Sequence, residues 1–368
     1  REKIGVTEFL GYEHEKSEAI VLSLIKKGKE VEEIKEGEEA ELVTNQTPFY
    51  GESGGQIGDI GFISNNNSNF QVVDTQKKLG DIFVHQGKLV KGTIKIKDSV
   101  NLSIDGKRRA SIRAYHSATH LLHEALRKTL GKHVIQKGSF VGPNKLRFDF
   151  SHMKPIEENE IKKIEKFVND IVKSKNEVRT RLMTTKEAVD NGALALFGEK
   201  YGEEVRVLSM GKEKNKYFST ELCGGTHVKN TSEIGDFKII SQSAIASGVR
   251  RVEALRSEQL ANYLKKKKQD SENLNTISLN KIKSLKTEIK SLGSKPIVVN
   301  NLTDNEKIKR LNKQLEQINI QMILKDKSKN EIRDKTVKGI KIRFQLVKGF
   351  PSKELRSLID QGKKDLNK

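Results

Sequence analysis

Short apolar runs separated by polar turns dominate the first hundred residues. The turn over residues 64–69, for example, is made only of Ser and Asn. Many short strands at such close spacing predict a small β-barrel or sandwich. The runs with the length and composition of strands are residues 20–25, 40–43, 62–63, 70–73 and 82–84.

A helical period replaces this alternation further along the chain. Apolar residues at helical spacing predict one amphipathic helix from about Arg113 to about Leu130, and a second helix is expected over residues 157–174. Strands and loops then alternate to about Val252. The first 257 residues therefore have the pattern of an α/β body with a β-rich first part.

Two apolar seams follow this body. Glycine and proline at residues 293–296 and a polar stretch at 300–304 separate them, with Asp304 as the candidate N-cap of the second helix. The pattern predicts an antiparallel helical hairpin, and the alternative is that one seam contacts a second subunit. A strand is expected at residues 340–347, followed by a short helix. The seams consist of Ile282, Leu285, Ile289 and Leu292, and of Ile308, Leu311, Leu315, Ile318 and Met322.

Charge is distributed unevenly along the chain. The formal net charge is +20, and residues 261–368 hold 27 Lys and Arg against 12 Asp and Glu, a net of +15. Clustered cations bind phosphates through counterion release, so this segment indicates a polyanion partner. The alternative is a solvated lysine-rich surface. The single cysteine, Cys223, excludes an internal disulfide, and no apolar run is long enough to span a membrane, so we expect a cytoplasmic protein.

The candidate chemistry lies in two short segments about a hundred residues apart. His116 and His120 are four residues apart on the predicted helix, so both imidazoles project from one face. Cys223 and His227 flank a glycine pair that we expect to allow a tight turn. Three imidazoles and one thiolate are a ligand set suited to Zn²⁺, one ion per chain.

Each of these segments alone is a weak signal, and only their joint occurrence favours a metal site. A metalloprotease is disfavoured because its helical motif requires a glutamate directly after the first histidine, where this chain has Ser117. Glu124 lies beyond the histidine pair. His123 is expected to be a packed or supporting residue rather than a fifth ligand.

The motifs together resemble one known family. The sequence reads HSATHLLH at residues 116–123 and CGGTH at 223–227, with supporting segments FLGY at 9–12, TPFYGESGGQ at 47–56, HVIQKGS at 133–139 and ASGVRRVEA at 246–254. In this order they resemble the editing domain of alanyl-tRNA synthetases and of their free-standing trans-editing relatives. Threonyl-tRNA synthetases carry a related histidine pair but lack the helical hairpin.

This resemblance implies hydrolysis of Ser-tRNA(Ala) and Gly-tRNA(Ala), because a site built for alanine discriminates weakly against glycine or serine. Gln56 is a weaker pocket candidate, and the arginines have the alternative of pairing with acids such as Glu253. The implied roles are zinc binding by His116, His120, Cys223 and His227, contact with the substrate by Thr47 and Gln136, and contact with tRNA phosphates by Arg250, Arg251 and Lys137.

The resemblance also implies an α+β chain: a small β-barrel, an α/β editing core, then an antiparallel helical hairpin. The expected domains are the β-rich part of the editing module (1–108), the zinc-containing core (109–257), the hairpin for dimerisation and tRNA binding (258–330) and the truncated start of a C-terminal globular module (331–368). The family's ATP-dependent aminoacylation domain has no counterpart here, so no aminoacylation is expected. The alternatives are a free-standing trans-editing deacylase and a non-catalytic zinc-containing module for tRNA binding or dimerisation.

Overall fold

The computed structural model describes residues 5–194, 203–213, 216–326 and 329–366. The outermost limits of the expected domains, residues 1 and 368, lie outside this range. The chain divides into two compact units, Arg1–Tyr263 and Leu264–Lys368. Each unit is described by itself.

The predicted β-rich segment folds into a closed barrel. All five predicted runs fall in strands, and the alternation continues in a further strand in which Val100, Leu102 and Ile104 are buried. The described strands are β1 (Glu8–Phe9), β2 (Lys16–Lys26), β3 (Lys29–Val31), β4 (Glu33–Lys35), β5 (Glu39–Thr44), β6 (Gln46–Thr47), β7 (Gly61–Ser64), β8 (Asn69–Lys78), β9 (Ile82–Lys91), β10 (Thr93–Lys95) and β11 (Ser99–Ile104).

Six of these described strands form the barrel, all antiparallel, in the order β11-β7-β8-β9-β5-β2. The ring closes where β11 pairs with β2, with Leu102 opposite Ser17. Closure leaves those strands without free edges and surrounds a core of apolar side chains that includes Leu24, Leu42, Phe70 and Leu89.

The second half of this unit packs helices on two smaller sheets. Strands β12-β13-β18-β17 form one sheet and β14-β15-β16 the other. The elements are α1 (Gly106–Leu130), β12 (Gln136–Val141), β13 (Leu146–Ser151), α2 (Glu158–Lys173), β14 (Arg179–Thr184), α3 (Thr185–Asp190), β15 (Glu204–Glu213), β16 (Lys216–Leu222), a 3-10 turn (Thr231–Ile234), β17 (Phe237–Ala246) and β18 (Val249–Arg256).

Helix α1 begins earlier than the predicted Arg113. Asp105 accepts a hydrogen bond from the Arg108 amide and so caps the helix, while the polar first turn carries no apolar period that the sequence pattern could register. Arg109 in that turn is fully buried and forms an ion pair with Asp59, which follows the paired glycines of the barrel region. The pair ties α1 to the barrel segment.

The second unit contains the predicted hairpin. Helices α4 (Ser257–Ser291), whose first residues belong to the first unit, and α5 (Asp304–Lys325) pack their seams against each other through Ile282, Leu285, Ile289 and Leu311. The predicted N-cap Asp304 was wrong by one position: the Thr303 hydroxyl accepts from the Glu306 amide, and Glu306 completes a capping box.

The remaining described elements are β19 (Asn330–Val337), β20 (Ile340–Val347), a 3-10 turn (Ser352–Glu354) and α6 (Leu355–Leu366). The predicted strand at 340–347 is β20, and it pairs with β19, which the sequence pattern missed. Barrel, mixed core and helices together confirm the predicted α+β class. Among the described helices, none combines the length and apolar character that a membrane span requires.

Candidate metal centre

Helix α1 supplies two of the four expected ligands. His116 and His120 are each 5% exposed and lie on the face of α1 that points into the protein. Their rings stack with a centroid separation of 5.1 Å. The four-residue spacing therefore places both imidazoles side by side, as the helical period predicts.

The loop after β16 supplies the other two ligands. Cys223 follows the last residue of β16, and its amide donates to the carbonyl of Arg206 on the neighbouring strand β15. A Cβ atom at Gly225 would overlap the His116 ring, whereas one at Gly224 would meet open space. Neither glycine has a positive φ. The segment therefore brings its two ligands together without a left-handed residue at either glycine, and Gly225 is needed for close approach to α1.

Four side chains from these two segments meet at one point. One donor atom each from His116, His120, Cys223 and His227 lies within 4.8 Å of the others. The Cys223 sulfur is 3.5 Å from Nε2 of His116 and 3.2 Å from Nε2 of His227. Sulfur and nitrogen ligands of a tetrahedral zinc ion are about 3.6 Å apart when the usual bond lengths are applied. This group can hold a metal ion.

The second nitrogen of each ring is held by a neighbouring group. Nδ1 of His116 lies 2.8 Å from the side-chain oxygen of Gln56, and Nδ1 of His227 lies 3.2 Å from the Ser117 hydroxyl. Because an amide oxygen only accepts, His116 carries its proton on Nδ1 and leaves Nε2 bare toward the sulfur. Partners of this kind orient the rings of metal-binding histidines.

His120 has the strongest of these partners. Its Nδ1 lies 2.6 Å from one carboxylate oxygen of Glu221, whose other oxygen is 3.1 Å from Nδ1 of His123. Nε2 of His120 is buried and has no hydrogen-bond partner among the described residues. A buried nitrogen without a partner, directed at three other donors, fits a metal ligand. His123 lies outside the group of four.

The electrostatics of the centre favour the ligating forms of Cys223 and His227. In contrast, the negative charges of Glu221 and Cys223 outweigh burial and raise the pKa of His120 to about 10, so a metal ion must displace a proton from that ring. Burial alone would raise the pKa of the Cys223 thiol, but the surrounding imidazoles outweigh it and hold that pKa well below its usual range. Burial lowers the pKa of His227 to about 3, so the ring is neutral at physiological pH. A thiolate and neutral imidazoles are the forms that bind zinc.

The sequence pattern ranked Gln56 low and did not find Glu221 at all. Gln56 is fully buried, and besides accepting from His116 it accepts from the amide of Thr226 and donates to its hydroxyl. It thereby joins the barrel segment, α1 and the ligand loop. Glu221 carried a usable signal: it is an acid placed between the buried residues Phe218 and Leu222 on β16.

Two side chains brace the ligand loop from outside. The Tyr12 hydroxyl donates to the carbonyl of Gly224 at 2.7 Å, and Arg206 donates to the carbonyl of Gly225 at 3.0 Å. The Arg206 guanidinium also lies 3.4 Å from the centroid of the Tyr12 ring. A cation–π contact thus links Tyr12 and Arg206, the two side chains that hold the ligand loop.

A cavity of about 980 Å³ opens beside three of the four donors. Such a volume is typical of small-molecule sites. Gln136, at the start of β12, lines this cavity, and Nε2 of its amide lies 3.4 Å from the Ser139 hydroxyl. The other lining residues include His116, His120 and Cys223 on one side and Phe9, Tyr12, Tyr50, Lys77, Phe83 and Arg206 around them.

Thr47 occupies a different environment. It is fully buried on β6, and its hydroxyl lies 2.8 Å from Nε2 of His85 and accepts from the Phe49 amide. Nδ1 of His85 lies 2.9 Å from the Leu42 carbonyl, so Nδ1 carries the proton and Nε2 accepts from Thr47. Thr47 is not among the residues that line the cavity.

The three residues expected to contact phosphates differ in their surroundings. Lys137 is exposed and Arg250 is half-buried. Arg251 forms a two-bond ion pair with Asp149, at 2.7 and 2.8 Å. Glu253, the partner considered from the sequence, is instead bound by Lys145 at 2.6 Å.

Two protein-family models match parts of the chain. The model described as "tRNA synthetases class II (A)" matches residues 1–108, which contain the barrel. The model described as "Threonyl and Alanyl tRNA synthetase second additional domain" matches residues 205–253, which contain Cys223 and His227.

Curated relatives match the chain from end to end. The alanine–tRNA ligases of Parvibaculum lavamentivorans and Rhodopseudomonas palustris are each 46% identical to it, and that of Nitrobacter winogradskyi is 45% identical. Each alignment covers 100% of the chain but only 40%, 41% and 41%, respectively, of these relatives' own length. The chain is therefore similar over its whole length to a part of alanine–tRNA ligases, and it carries a match to the second additional domain.

Proposed function

We propose that this chain is the editing part of an alanine–tRNA ligase and hydrolyses the ester that joins serine or glycine to tRNA(Ala). The observation that carries the proposal is the convergence of three imidazoles and one thiolate, of which His116, His120 and Cys223 line a cavity. An aminoacylation site for alanine needs such a second site, because it cannot strongly reject a smaller side chain or one extra hydroxyl.

Each candidate side chain has a defined task in this proposal. His116, His120, Cys223 and His227 hold one Zn²⁺, which supplies a fixed positive charge for orienting the ester. Gln136 presents an amide to the cavity and positions the substrate or the attacking water. Thr47 is bonded to His85 on β9 and does not line the cavity, and its contact with a serine hydroxyl stays a prediction.

tRNA is the proposed partner, held by Lys137, Arg250 and Arg251 near the site and by the basic segment 261–368. The excess of 27 Lys and Arg over 12 Asp and Glu in that segment supports a phosphate contact. A homodimer through the C-terminal helices stays a prediction, which sedimentation at two protein concentrations tests. We propose a cytoplasmic location, because the proposed partner is tRNA.

A second candidate function has one observation in its favour. If all four residues bound one zinc ion, the protein would supply the four ligands of a structural site and no position would be left for water. This closed set favours a non-catalytic zinc module that binds tRNA. A free-standing trans-editing deacylase would share the site chemistry.

The test compares deacylation of Ser-tRNA(Ala), Gly-tRNA(Ala) and Ala-tRNA(Ala) by the wild-type chain and by Cys223→Ala. Hydrolysis of the first two substrates, with Ala-tRNA(Ala) spared and the variant inactive, supports editing. Hydrolysis no faster than that of Cys223→Ala would leave only the binding module. Tyr217→Phe, a change on β16 outside the cavity lining, serves as the control and should retain activity.

A further inference from the structure

We propose that Glu221 is a positioning residue for the candidate metal centre and that His123 acts through it. The inference rests on the metal centre of the proposed function. The Glu221 side chain is 1% exposed on β16, two residues before Cys223. Its two oxygens are divided between two rings, 2.6 Å from Nδ1 of His120 and 3.1 Å from Nδ1 of His123.

An ionised carboxylate has only acceptors, so both rings must present an N–H at Nδ1. A neutral imidazole protonated at Nδ1 has its lone pair at Nε2. Nε2 of His120 is therefore left as a ligand, and it is buried without a partner among the described residues. Glu221 sets both the direction of the ring and the nitrogen that carries the proton.

His123 has no place in the group of four, yet it is 4% exposed and held by the same acid. Its ring packs on Phe148 of β13 with a centroid separation of 5.2 Å. A carboxylate bonded at one oxygen can rotate, whereas one bonded at both oxygens keeps its plane. The Ser219 hydroxyl donates to the same oxygen of Glu221 that His123 contacts, at 3.4 Å. Together with this bond, His123 thus fixes Glu221 in the orientation that Glu221 imposes on His120.

Glu221→Gln tests this arrangement because an amide offers one acceptor and one donor of the same shape. Only one of the two rings can then keep its proton on Nδ1, so His120 and His123 compete for the amide oxygen. We expect Zn²⁺ affinity of the full chain, measured by competition with a chromophoric chelator, to fall about 10- to 100-fold. Glu124→Gln is the matched control: it neutralises a partly buried acid next to His123 that pairs with Arg127, and affinity should not change.

The double variant Glu221→Gln/His123→Ala separates positioning from general damage. Removing His123 removes the competing ring, so the double variant should bind Zn²⁺ more tightly than Glu221→Gln alone. Damage to packing would instead add to the first defect. Proton–nitrogen correlation spectra of the wild-type chain should show both His120 and His123 protonated at Nδ1.

Three results would overturn the inference: wild-type affinity in Glu221→Gln, a double variant weaker than both single variants, or His120 protonated at Nε2 in the zinc-bound wild type. If Glu221→Gln does not fold, His123→Ala alone decides, because it should lower Zn²⁺ affinity while circular dichroism stays native, and unchanged affinity refutes the role. A wild-type chain that binds no Zn²⁺ would refute the metal centre itself. A chain that binds Zn²⁺ normally but releases no serine from tRNA would refute only the proposed reaction.

Discussion

The side-chain oxygen of Gln56 accepts a hydrogen bond from Nδ1 of His116, 60 residues further along the chain, at 2.8 Å. The same oxygen accepts from the amide of Thr226 in the ligand loop. One amide in the barrel segment therefore orients a ligand on α1 and the loop that carries two others. The metal centre depends on the barrel segment as well as on its own two motifs.

Gln56→Leu should weaken metal binding about 10- to 100-fold, because it removes the acceptor that keeps the His116 proton on Nδ1. Chelator competition with Zn²⁺ measures the change. Gln71→Leu, on an exposed position of strand β8, is the matched control and should bind as the wild type does. Equal affinities in the two variants would show that His116 needs no such partner.

Gly225→Ala and Gly224→Ala should differ sharply although they are neighbours. A methyl group at residue 225 would overlap the His116 ring, so the loop and α1 must separate and we expect at least a tenfold loss of zinc affinity. A methyl group at residue 224 meets open space and a backbone without positive φ. Zinc content of the two purified variants is the measurement, and similar values would contradict the close-approach argument.

The ligands could be predicted from the sequence because their chemistry is rare and their spacing is local. His116 and His120 are related by one helical turn, and Cys223 is the single cysteine. The supporting residues have neither property. Glu221 contacts His120 across 101 residues of sequence, and a contact of that separation leaves no repeating pattern of residues from which it could be predicted.

The elements of the fold likewise differ in whether the sequence pattern could predict them. Apolar runs predicted the barrel strands, and the seams predicted the helical hairpin, because buried faces repeat along one element. The pattern missed β19, whose residues are mostly exposed, and the first turn of α1, which is polar. Thr47 shows the limit for single residues: the sequence places it in a motif, but only its neighbour His85 shows where its hydroxyl is used.

Acid should destabilise the barrel through His85. Burial lowers the pKa of this ring from 6.5 to about 4, so the unfolded chain takes up the proton first as the pH falls. The stability contributed by the neutral ring is complete above about pH 6.5 and is lost between about pH 6.5 and pH 4. The expected loss is on the order of 3 kcal/mol.

Urea unfolding of the wild type and of His85→Asn at pH 7 and pH 5 measures this contribution. The variant should be less stable at pH 7 and should lose less stability on acidification. His14→Asn, at an exposed position of the same unit, should follow the wild type. Identical pH dependence in wild type and His85→Asn would refute the buried neutral ring.

Arg251 and Arg250 should contribute differently to tRNA binding. Asp149 already neutralises Arg251 through two hydrogen bonds, so Arg250→Gln should lower the slope of log affinity against log salt by roughly one, and Arg251→Gln by less. Asp149→Asn distinguishes the two roles of Arg251. Tighter tRNA binding in that variant would mean that the freed guanidinium contacts phosphate, whereas lower stability with unchanged binding would mean a structural pair.

The basic run Lys265–Lys268 on α4 should supply a large share of the salt dependence. All four side chains are exposed, and neutralising them to glutamine removes up to four phosphate contacts, each worth roughly 0.7 to 0.9 in the log–log slope. The control replaces Lys27, Lys29, Lys88 and Lys91 of the barrel strands and turns, which are also exposed and carry the same total charge. Fluorescence titration of labelled tRNA at several salt concentrations gives the slopes. If both sets of substitutions lower the slope equally, the affinity comes from net charge alone. Only a larger effect of the α4 set supports a localised binding site for the tRNA backbone on α4.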